Sequence, residues 1–142
     1  MTSILRKRVH EQALPFRQGY DSPAGYDIAG VHILSRKNSV EETITYVGTG
    51  WSLEIPETHY VEIHERSSLH KTGFGLANKV GIIDSDYRGE LILALRSNTE
   101  LDPPLGTYMV QLIPRRKEPV IWVDSDDISE TKRGKGGFGS SD

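Results

Sequence analysis

The densest group of potentially reactive side chains follows an apolar stretch in the middle of this 142-residue chain. Residues 80–83 run directly into Asp84, and Asp86 and Tyr87 come next. A carboxylate at the end of a buried strand can orient a water molecule as a general base. Asp, Ser and Gly are also common in hairpin turns, and composition alone favours that simpler interpretation.

A cation and two hydroxyl groups precede a short helix that is predicted around residues 67–71. Arg66, Ser67 and Ser68 could cap this helix. The same groups, together with the amides at the helix N-terminus, could instead hold a phosphate group. The sequence alone leaves both interpretations open.

Gln111 is a polar residue in an apolar environment, because it shares a face of a predicted strand with Met109 and Ile113. A buried amide needs a hydrogen-bonding partner. That partner could belong to the core or to a ligand.

The end of the chain, residues 131–142, is rich in glycine and has no apolar periodicity. This composition is typical of a disordered terminus. Phe138 and Arg133 fit that interpretation less well, because arginine is well suited to binding phosphate. The G-x-G-x-x-G spelling that begins at Gly134 has no strand before it, so it does not predict a dinucleotide-binding fold.

Apolar and polar residues alternate with a period of two along most of the chain. The predicted strands cover residues 44–47, 51–55, 60–64, 91–95, 108–113 and 120–123. Residues 91–95 are apolar at every position, which predicts a central strand between two layers. Turn-forming residues separate these short strands, so the sequence predicts a single all-β domain, a sandwich or barrel with at most one short helix.

Composition limits the possible functions. The net charge of -3 is unlike that of a nucleic-acid-binding protein, which is usually strongly basic. We find no cysteine, no metal-binding spacing among the five histidines, no membrane span and no signal peptide. We therefore expect a soluble intracellular protein, in the cytoplasm with the nucleus left open. Only 36% of the residues are hydrophobic, which suggests that some apolar surface is buried between subunits.

Five segments, taken in order, resemble the five motifs of the trimeric dUTPase family. They are Ala24-Gly25-Tyr26-Asp27-Ile28, Arg66-Ser67-Ser68-Leu69, Gly81-Ile82-Ile83-Asp84-Ser85-Asp86-Tyr87-Arg88-Gly89, Gln111-Leu112-Ile113 and Arg133-Gly134-Lys135-Gly136-Gly137-Phe138-Gly139-Ser140-Ser141. The third and fifth are highly specific, and the resemblance covers residues 24–141. It implies a jelly-roll-like β-sandwich or barrel that is a subunit of a homotrimer. Residues 1–130 would form the domain, and residues 131–142 a flexible arm that closes over the active site.

The resemblance also implies a reaction, the Mg²⁺-dependent hydrolysis of dUTP to dUMP and pyrophosphate by attack of water on the α-phosphate. This lowers dUTP and supplies dUMP for dTMP synthesis. Asp84 would activate the water, and Asp27 would either support Mg²⁺ through bound waters or pair with Arg66. Each active site would combine residues from all three chains. The implied substrate-binding residues are Arg66, Ser67, Ser68, Asn78, Gly81, Ile83, Tyr87, Gln111, Arg133, Phe138, Gly139 and Ser140.

Two other functions share this fold, a dCTP deaminase and a nucleotide-responsive regulatory protein. The deaminase normally lacks the Asp-Ser-Asp-Tyr segment and the Gly-Gly-Phe-Gly tail, and both are present here. The sequence departs from the family pattern at Glu65, where proline is common, and at the Ser141-Asp142 ending. Glu65 adds a negative charge beside the predicted phosphate-binding residues, which would weaken binding unless the side chain faces away.

Overall fold

The computed structural model describes residues 1–18 and 24–139. In this part of the chain, nine strands and one turn of 3₁₀ helix follow one another. The strands are β1 (Leu5–Arg8), β2 (Tyr26–Ala29), β3 (His32–Asn38), β4 (Thr43–Glu54), β5 (His59–Glu65), β6 (Gly75–Leu76), β7 (Gly81–Ile83), β8 (Glu90–Ser97) and β9 (Tyr108–Arg116). The 3₁₀ helix, Leu69–Thr72, lies between β5 and β6.

Two antiparallel sheets form the fold. One has the order β1-β4-β8-β6, with β3 also paired to β4, and the other has the order β2-β9-β5-β7. The alternating residues of both sheets supply a shared core, which includes Ile28, Val47, Val61, Ile63, Leu91, Leu93, Leu95 and Val110. The prediction of an all-β sandwich with at most one short helix is therefore confirmed.

Two irregularities in the strands redirect side chains. The β4–β8 register shifts between Gly48 and Ser52, and Gly50 there has a φ of 81°, a left-handed conformation that glycine adopts readily. The β2–β9 register shifts opposite Met109, so Met109 and Val110 are both buried. Strict alternation had predicted that Gln111 and Met109 share a face of the strand. The register shift overturns this prediction, and the two side chains lie on different faces.

Three predictions about the elements need correction. Residues 91–95 form part of β8, but only one face is buried, because Ile92 is 42% exposed while its neighbours Leu91 and Leu93 are buried. Residues 120–123 are not a strand in the structure, because no strand of the described chain pairs with them, and Trp122 is 91% exposed. The predicted helix begins later than expected and is a single 3₁₀ turn.

Candidate functional site

Asp27 and Gln111 lie directly opposite each other on the paired strands β2 and β9. A Cβ atom at Gly25 would lie 2.7 Å from Oε1 of Gln111 and 3.0 Å from the carbonyl oxygen of Leu112. The backbone of the first motif therefore passes too close to β9 for any residue larger than glycine. The side-chain amide of Gln111 donates a hydrogen bond of 3.5 Å to the carbonyl of Glu65 at the end of β5.

Arg66 joins the same group from the end of β5. Its Nε lies 3.2 Å from Oδ1 of Asp27, and its Nη1 donates a hydrogen bond of 2.7 Å to the carbonyl of Tyr108. The ion pair between Asp27 and Arg66, which was one of the two expectations for Asp27, is thus present. We call Asp27, Arg66 and Gln111 the arginine cluster.

Arg17 is a second partner of Asp27 that the sequence did not reveal. Its Nη2 lies 3.4 Å from Oδ2 of Asp27, and the backbones of the two residues exchange hydrogen bonds of 2.7 and 3.0 Å. The guanidinium group also lies over the ring of Tyr108, 4.0 Å from its centre. No motif surrounds Arg17, so only the folded chain identifies it.

The two serines of the second motif do not cap the helix that follows. Ser68 occupies the N-cap position without a side-chain capping bond, and Ser67 and Ser68 are both exposed. Leu69 is buried and anchors the turn to the core. The capping interpretation is therefore wrong for Ser68, and both hydroxyls face outward beside the arginine cluster. One 3₁₀ turn is too short to add the field of a long helix.

Asp84 lies at the end of β7 in a shallow cleft of about 180 Å³. We call this the carboxylate cleft, and its lining is Ile82, Ile83, Asp84, Tyr87 and Ile92. The backbone turns sharply after Asp84, because the amide of Tyr87 donates to its carbonyl at 3.1 Å. The hairpin-turn and site interpretations are thus compatible, since the turn brings the aromatic ring back beside the carboxylate.

Asn78 lies just before β7 in a tight turn of its own. Its carbonyl accepts a hydrogen bond of 2.7 Å from the amide of Val80, and Lys79 between them has a φ of 65°. A Cβ at Gly81 would lie 3.2 Å from that of Ile63 and 3.5 Å from Nδ2 of Asn78. The Asn78 amide therefore lies close to the backbone at the start of β7.

The arginine cluster and the carboxylate cleft lie at opposite ends of one sheet. Ile83 pairs with Val61 near the start of β5, whereas Arg66 follows the last residue of β5. A strand rises about 3.4 Å per residue, so five residues separate the two groups by about 17 Å. Reacting atoms must approach to about 3–3.5 Å. Within one chain, the side chains of Arg66 and Asp84 therefore do not meet.

The predicted residues of the arm lie on the surface. Phe138 is fully exposed with a φ of 49°, and Nε of Arg133 donates 2.7 Å to the carbonyl of Gly136. Gly139 has a φ of 84°. The hydrogen bond of Arg133 thus stays within the arm, and Ser140 lies outside the described residues.

Comparison with known proteins agrees with the motifs. The model of the dUTPase family matches residues 12–142. The deoxyuridine 5'-triphosphate nucleotidohydrolase of Paramecium bursaria Chlorella virus 1 is 36% identical, and the match covers 99% of each chain. The enzyme of the same name from Rickettsia prowazekii is 37% identical over 70% of this chain and 69% of its own.

The chain belongs to the dUTPase family.

Solved structures of the dUTPase family share the fold. The dUTPase of Staphylococcus bacteriophage 80alpha in complex with dUPNHPP superposes with a TM-score of 0.77 and 18% identity, over 100% of this chain and 99% of that one. The dUTPase of phage phi11 of S. aureus, whose structure describes the coordination of a structural Mg(II) ion, gives a TM-score of 0.71 at 16% identity over 90% of this chain and 99% of that one. The homotrimeric assembly of jelly-roll-like subunits is typical of this family.

We tested the arginine cluster as a support for Mg²⁺. Both carboxylate oxygens of Asp27 face guanidinium groups, and its side chain is only 12% exposed. Direct coordination by Asp27 therefore does not fit, so any support of Mg²⁺ by this carboxylate would run through bound water. Elsewhere in the described chain, no three His, Cys, Asp or Glu side chains lie close enough together to hold a metal ion.

The outer face of the β2-β9-β5-β7 sheet carries a polar network that lies outside the five sequence motifs. Oε1 of Glu62 accepts hydrogen bonds from His64 (2.8 Å) and Arg115 (3.0 Å), and Oε2 accepts one from Tyr60 (3.2 Å). The bonds from His64 and then Arg115 lower the pKa of Glu62 to about 2. Burial, followed by the bond to Glu62, raises the pKa of Tyr60. The polar residues at alternate positions of the predicted strand 60–64 are the sequence signal from which this network could have been predicted.

A cleft of about 680 Å³ lies elsewhere, between β1 and the second sheet, and none of the predicted site residues lines it. Within residues 1–18 and 24–139, the structure contains no helix with the length and hydropathy that a membrane crossing requires.

Proposed function

We propose that this chain hydrolyses dUTP to dUMP and pyrophosphate, and so lowers dUTP and supplies dUMP for dTMP synthesis. Membership of the dUTPase family supports the reaction. The observation that carries the proposal is the carboxylate cleft, in which Asp84 and Tyr87 lie together at the end of β7. A substrate of this kind is an intracellular metabolite, so the proposal includes a cytoplasmic location.

The carboxylate cleft would hold the nucleoside and the attacking water. Asp84 would accept a proton from the water as it attacks the α-phosphorus in line with the departing pyrophosphate. The ring of Tyr87 would lie against the deoxyribose, where an added 2′-hydroxyl would clash. Asn78 and the backbone at Gly81 and Ile83 would bind the uracil edge, and a base with the wrong edge would leave buried polar groups unpaired.

The arginine cluster would hold the triphosphate together with Ser67 and Ser68. The exposed hydroxyls and the partly exposed guanidinium of Arg66 support this role, because they face outward at one end of the sheet. Gln111 would contact a phosphate or the catalytic water. Mg²⁺ would bind mainly through the phosphates, and when bound it would neutralise their charge. Asp27 would contribute through water molecules while holding Arg66 in place.

The proposed active assembly is a homotrimer in which each site takes residues from different chains. The separation of about 17 Å along β5 between Arg66 and Ile83, the residue before Asp84, supports this, because the proposed reaction needs both Arg66 and Asp84 at one substrate. Exposed apolar residues at Ile121, Trp122 and Val123, each at least 80% exposed, supply surface that an assembly would bury. A closed ring of three chains is an ordinary symmetric assembly.

The arm would close over the bound nucleotide. Phe138 would stack on the uracil ring, Arg133 would pair with the terminal phosphates, and Gly139 and Ser140 would donate from the backbone and side chain. The full exposure of Phe138 supports this role, because an aromatic side chain with no place in the core is available to a ligand. Closure would exclude water and strengthen the electrostatic interactions with the phosphates.

The test is pyrophosphate release from dUTP, dCTP, dTTP and UTP, measured side by side with and without Mg²⁺. We expect dUTP to be cleaved far faster than the other three, with dUMP as product. Equal rates on dUTP and UTP would contradict the role of Tyr87. Formation of dUTP from dCTP would show a deaminase instead.

A further inference from the structure

Tyr87 is held by a contact that no motif explains. Its hydroxyl donates a hydrogen bond of 2.7 Å to the backbone carbonyl of Glu90. The ring folds back over Gly89, where a Cβ would lie 2.5 Å from the hydroxyl oxygen and 2.7 Å from Cζ. The orientation of the ring therefore depends on the position of the Glu90 backbone.

The Glu90 backbone is in turn anchored through its own side chain. Oε2 of Glu90 accepts 2.7 Å from Nε2 of His32 and 2.8 Å from the amide of Gly50, and this carboxylate is only 19% exposed. The Gly50 amide belongs to the irregular part of β4, where the regular β4–β8 register is interrupted. The Glu90 carboxylate thus provides a hydrogen-bond acceptor for the Gly50 amide and holds Glu90, the first residue of β8, in place.

The Glu90 carboxylate and the His32 ring pack directly over the backbone of β4 at Gly48. A Cβ at Gly48 would lie 2.2 Å from Oε2 of Glu90 and 2.3 Å from Nε2 of His32, so only glycine allows the pair to lie over β4. The ring of His10 stacks on that of His32 with 4.0 Å between their centres. The network therefore runs from His10 through His32 and Glu90 to Tyr87.

We propose that Glu90 and His32 are positioning residues for Tyr87, and that they thereby set the preference of the enzyme for the 2′-deoxy sugar. The inference rests on the proposed function, in which the Tyr87 ring lies against the sugar. Neither Glu90 nor His32 lines the carboxylate cleft, so both act through the Tyr87 ring. Steric exclusion of a 2′-hydroxyl requires that the Tyr87 ring keeps its position, since a displaced ring would leave room for that hydroxyl.

The experiment compares kcat/KM for dUTP and for UTP, with Mg²⁺, in the wild type and in Glu90→Ala, Tyr87→Phe and the double variant. We expect Glu90→Ala to lower the dUTP-to-UTP ratio about tenfold, which corresponds to about 1.4 kcal/mol. Tyr87→Phe removes the bond to the Glu90 carbonyl and should lower the ratio similarly. The double variant should resemble the single ones, because groups that act through one contact are not additive.

Two further variants keep the test decisive if Glu90→Ala folds poorly. Glu90→Gln retains an acceptor for the Gly50 amide and should restore most of the ratio, whereas His32→Ala should lower it by a factor of about three, since one of two bonds to the carboxylate is lost. Glu42→Ala is the matched control. It breaks an ion pair with Arg96 (2.6 Å) at the other end of the same β4–β8 pair, and it should leave the ratio unchanged.

An unchanged ratio in Glu90→Ala and His32→Ala, or an additive loss in the double variant, would overturn the inference. A purely structural role would lower the melting temperature and both kcat/KM values together without changing their ratio. Failure of the proposed function looks different, because the wild type itself would then not prefer dUTP.

Discussion

The separation of the arginine cluster from the carboxylate cleft predicts that two inactive chains can restore activity to each other. Asp84→Asn removes the base at one end of the sheet, and Arg66→Ala removes the cation at the other. Each variant by itself should be nearly inactive. Refolding the two together in equal amounts should restore hydrolysis of dUTP, because intact halves from different chains then meet in some of the sites.

The size of the recovery follows from the geometry. If each site takes Asp84 from one chain and Arg66 from the next chain of a ring, both are intact with a chance of about one half times one half, so about one quarter of the sites are active. If both groups came from the same chain, no site in this mixture would be active. The strand rise and the β5–β7 register favour the first case.

A second mixture distinguishes the two arrangements independently of any residual activity. Wild-type chains refolded with equal amounts of the Asp84→Asn, Arg66→Ala double variant should keep about one quarter of the activity if sites are shared and about one half if they are not. The assay is pyrophosphate release per chain, with sedimentation to establish that each mixture assembles as the wild type does. Variants mixed after refolding, without exchange of chains, are the control.

The argument from strand geometry would be refuted if the first mixture recovered no hydrolysis of dUTP and the second kept one half of the wild-type activity. That result would require the cluster and the cleft of one chain to meet. The β5–β7 register would then have to be wrong.

Three further predictions follow from the site. Asp84→Asn keeps the shape of the side chain but removes the base, so turnover should fall about 10²-fold or more while calorimetry still detects binding of a non-hydrolysable dUTP analogue. Deletion of residues 131–142 should leave the fold and assembly intact by circular dichroism and sedimentation but abolish most turnover, whereas Phe138→Ala should be milder, since base stacking contributes about 1–3 kcal/mol. The pKa of Glu62 is lowered from 4.5 to about 2, so its contribution to stability is present above pH 4.5 and is lost as the pH falls toward 2. Thermal melts should show a melting temperature that falls over this pH range, and the fall should be smaller in Glu62→Gln.

Much of the fold could be predicted because the period-two pattern survives in the structure. Residues 51–54 of one predicted strand lie within β4 and residues 60–64 of the next lie within β5, with alternate side chains in the core. Residues 120–123 have the same pattern but form no strand in the chain as described. A local pattern records the tendency to pair, whereas a strand also needs a partner, and the sequence does not show which edges are available.

The site was less predictable than the fold, for a physical reason. The motifs identified Asp27, Arg66 and Asp84, but register and strand order decide that the first two meet while the third lies at the far end of β5. Arg17 and the network at Glu90 depend on contacts between residues distant in sequence. The bulge at Met109 likewise reverses the face of one residue, and a period-two pattern cannot anticipate such an insertion.

Glu65 shows how the fold accommodates a charge that seemed unfavourable from the sequence. Oε1 of Glu65 accepts a hydrogen bond of 2.7 Å from the amide of Leu76 in β6. β5 and β6 belong to different sheets, so this bond ties the two layers together beside the arginine cluster. The carboxylate oxygen is directed at a backbone donor, and the proline common at this position has no side chain that could make the bond. The Glu65 carboxylate therefore helps to join the two sheets. The next residue, Arg66, remains paired with Asp27.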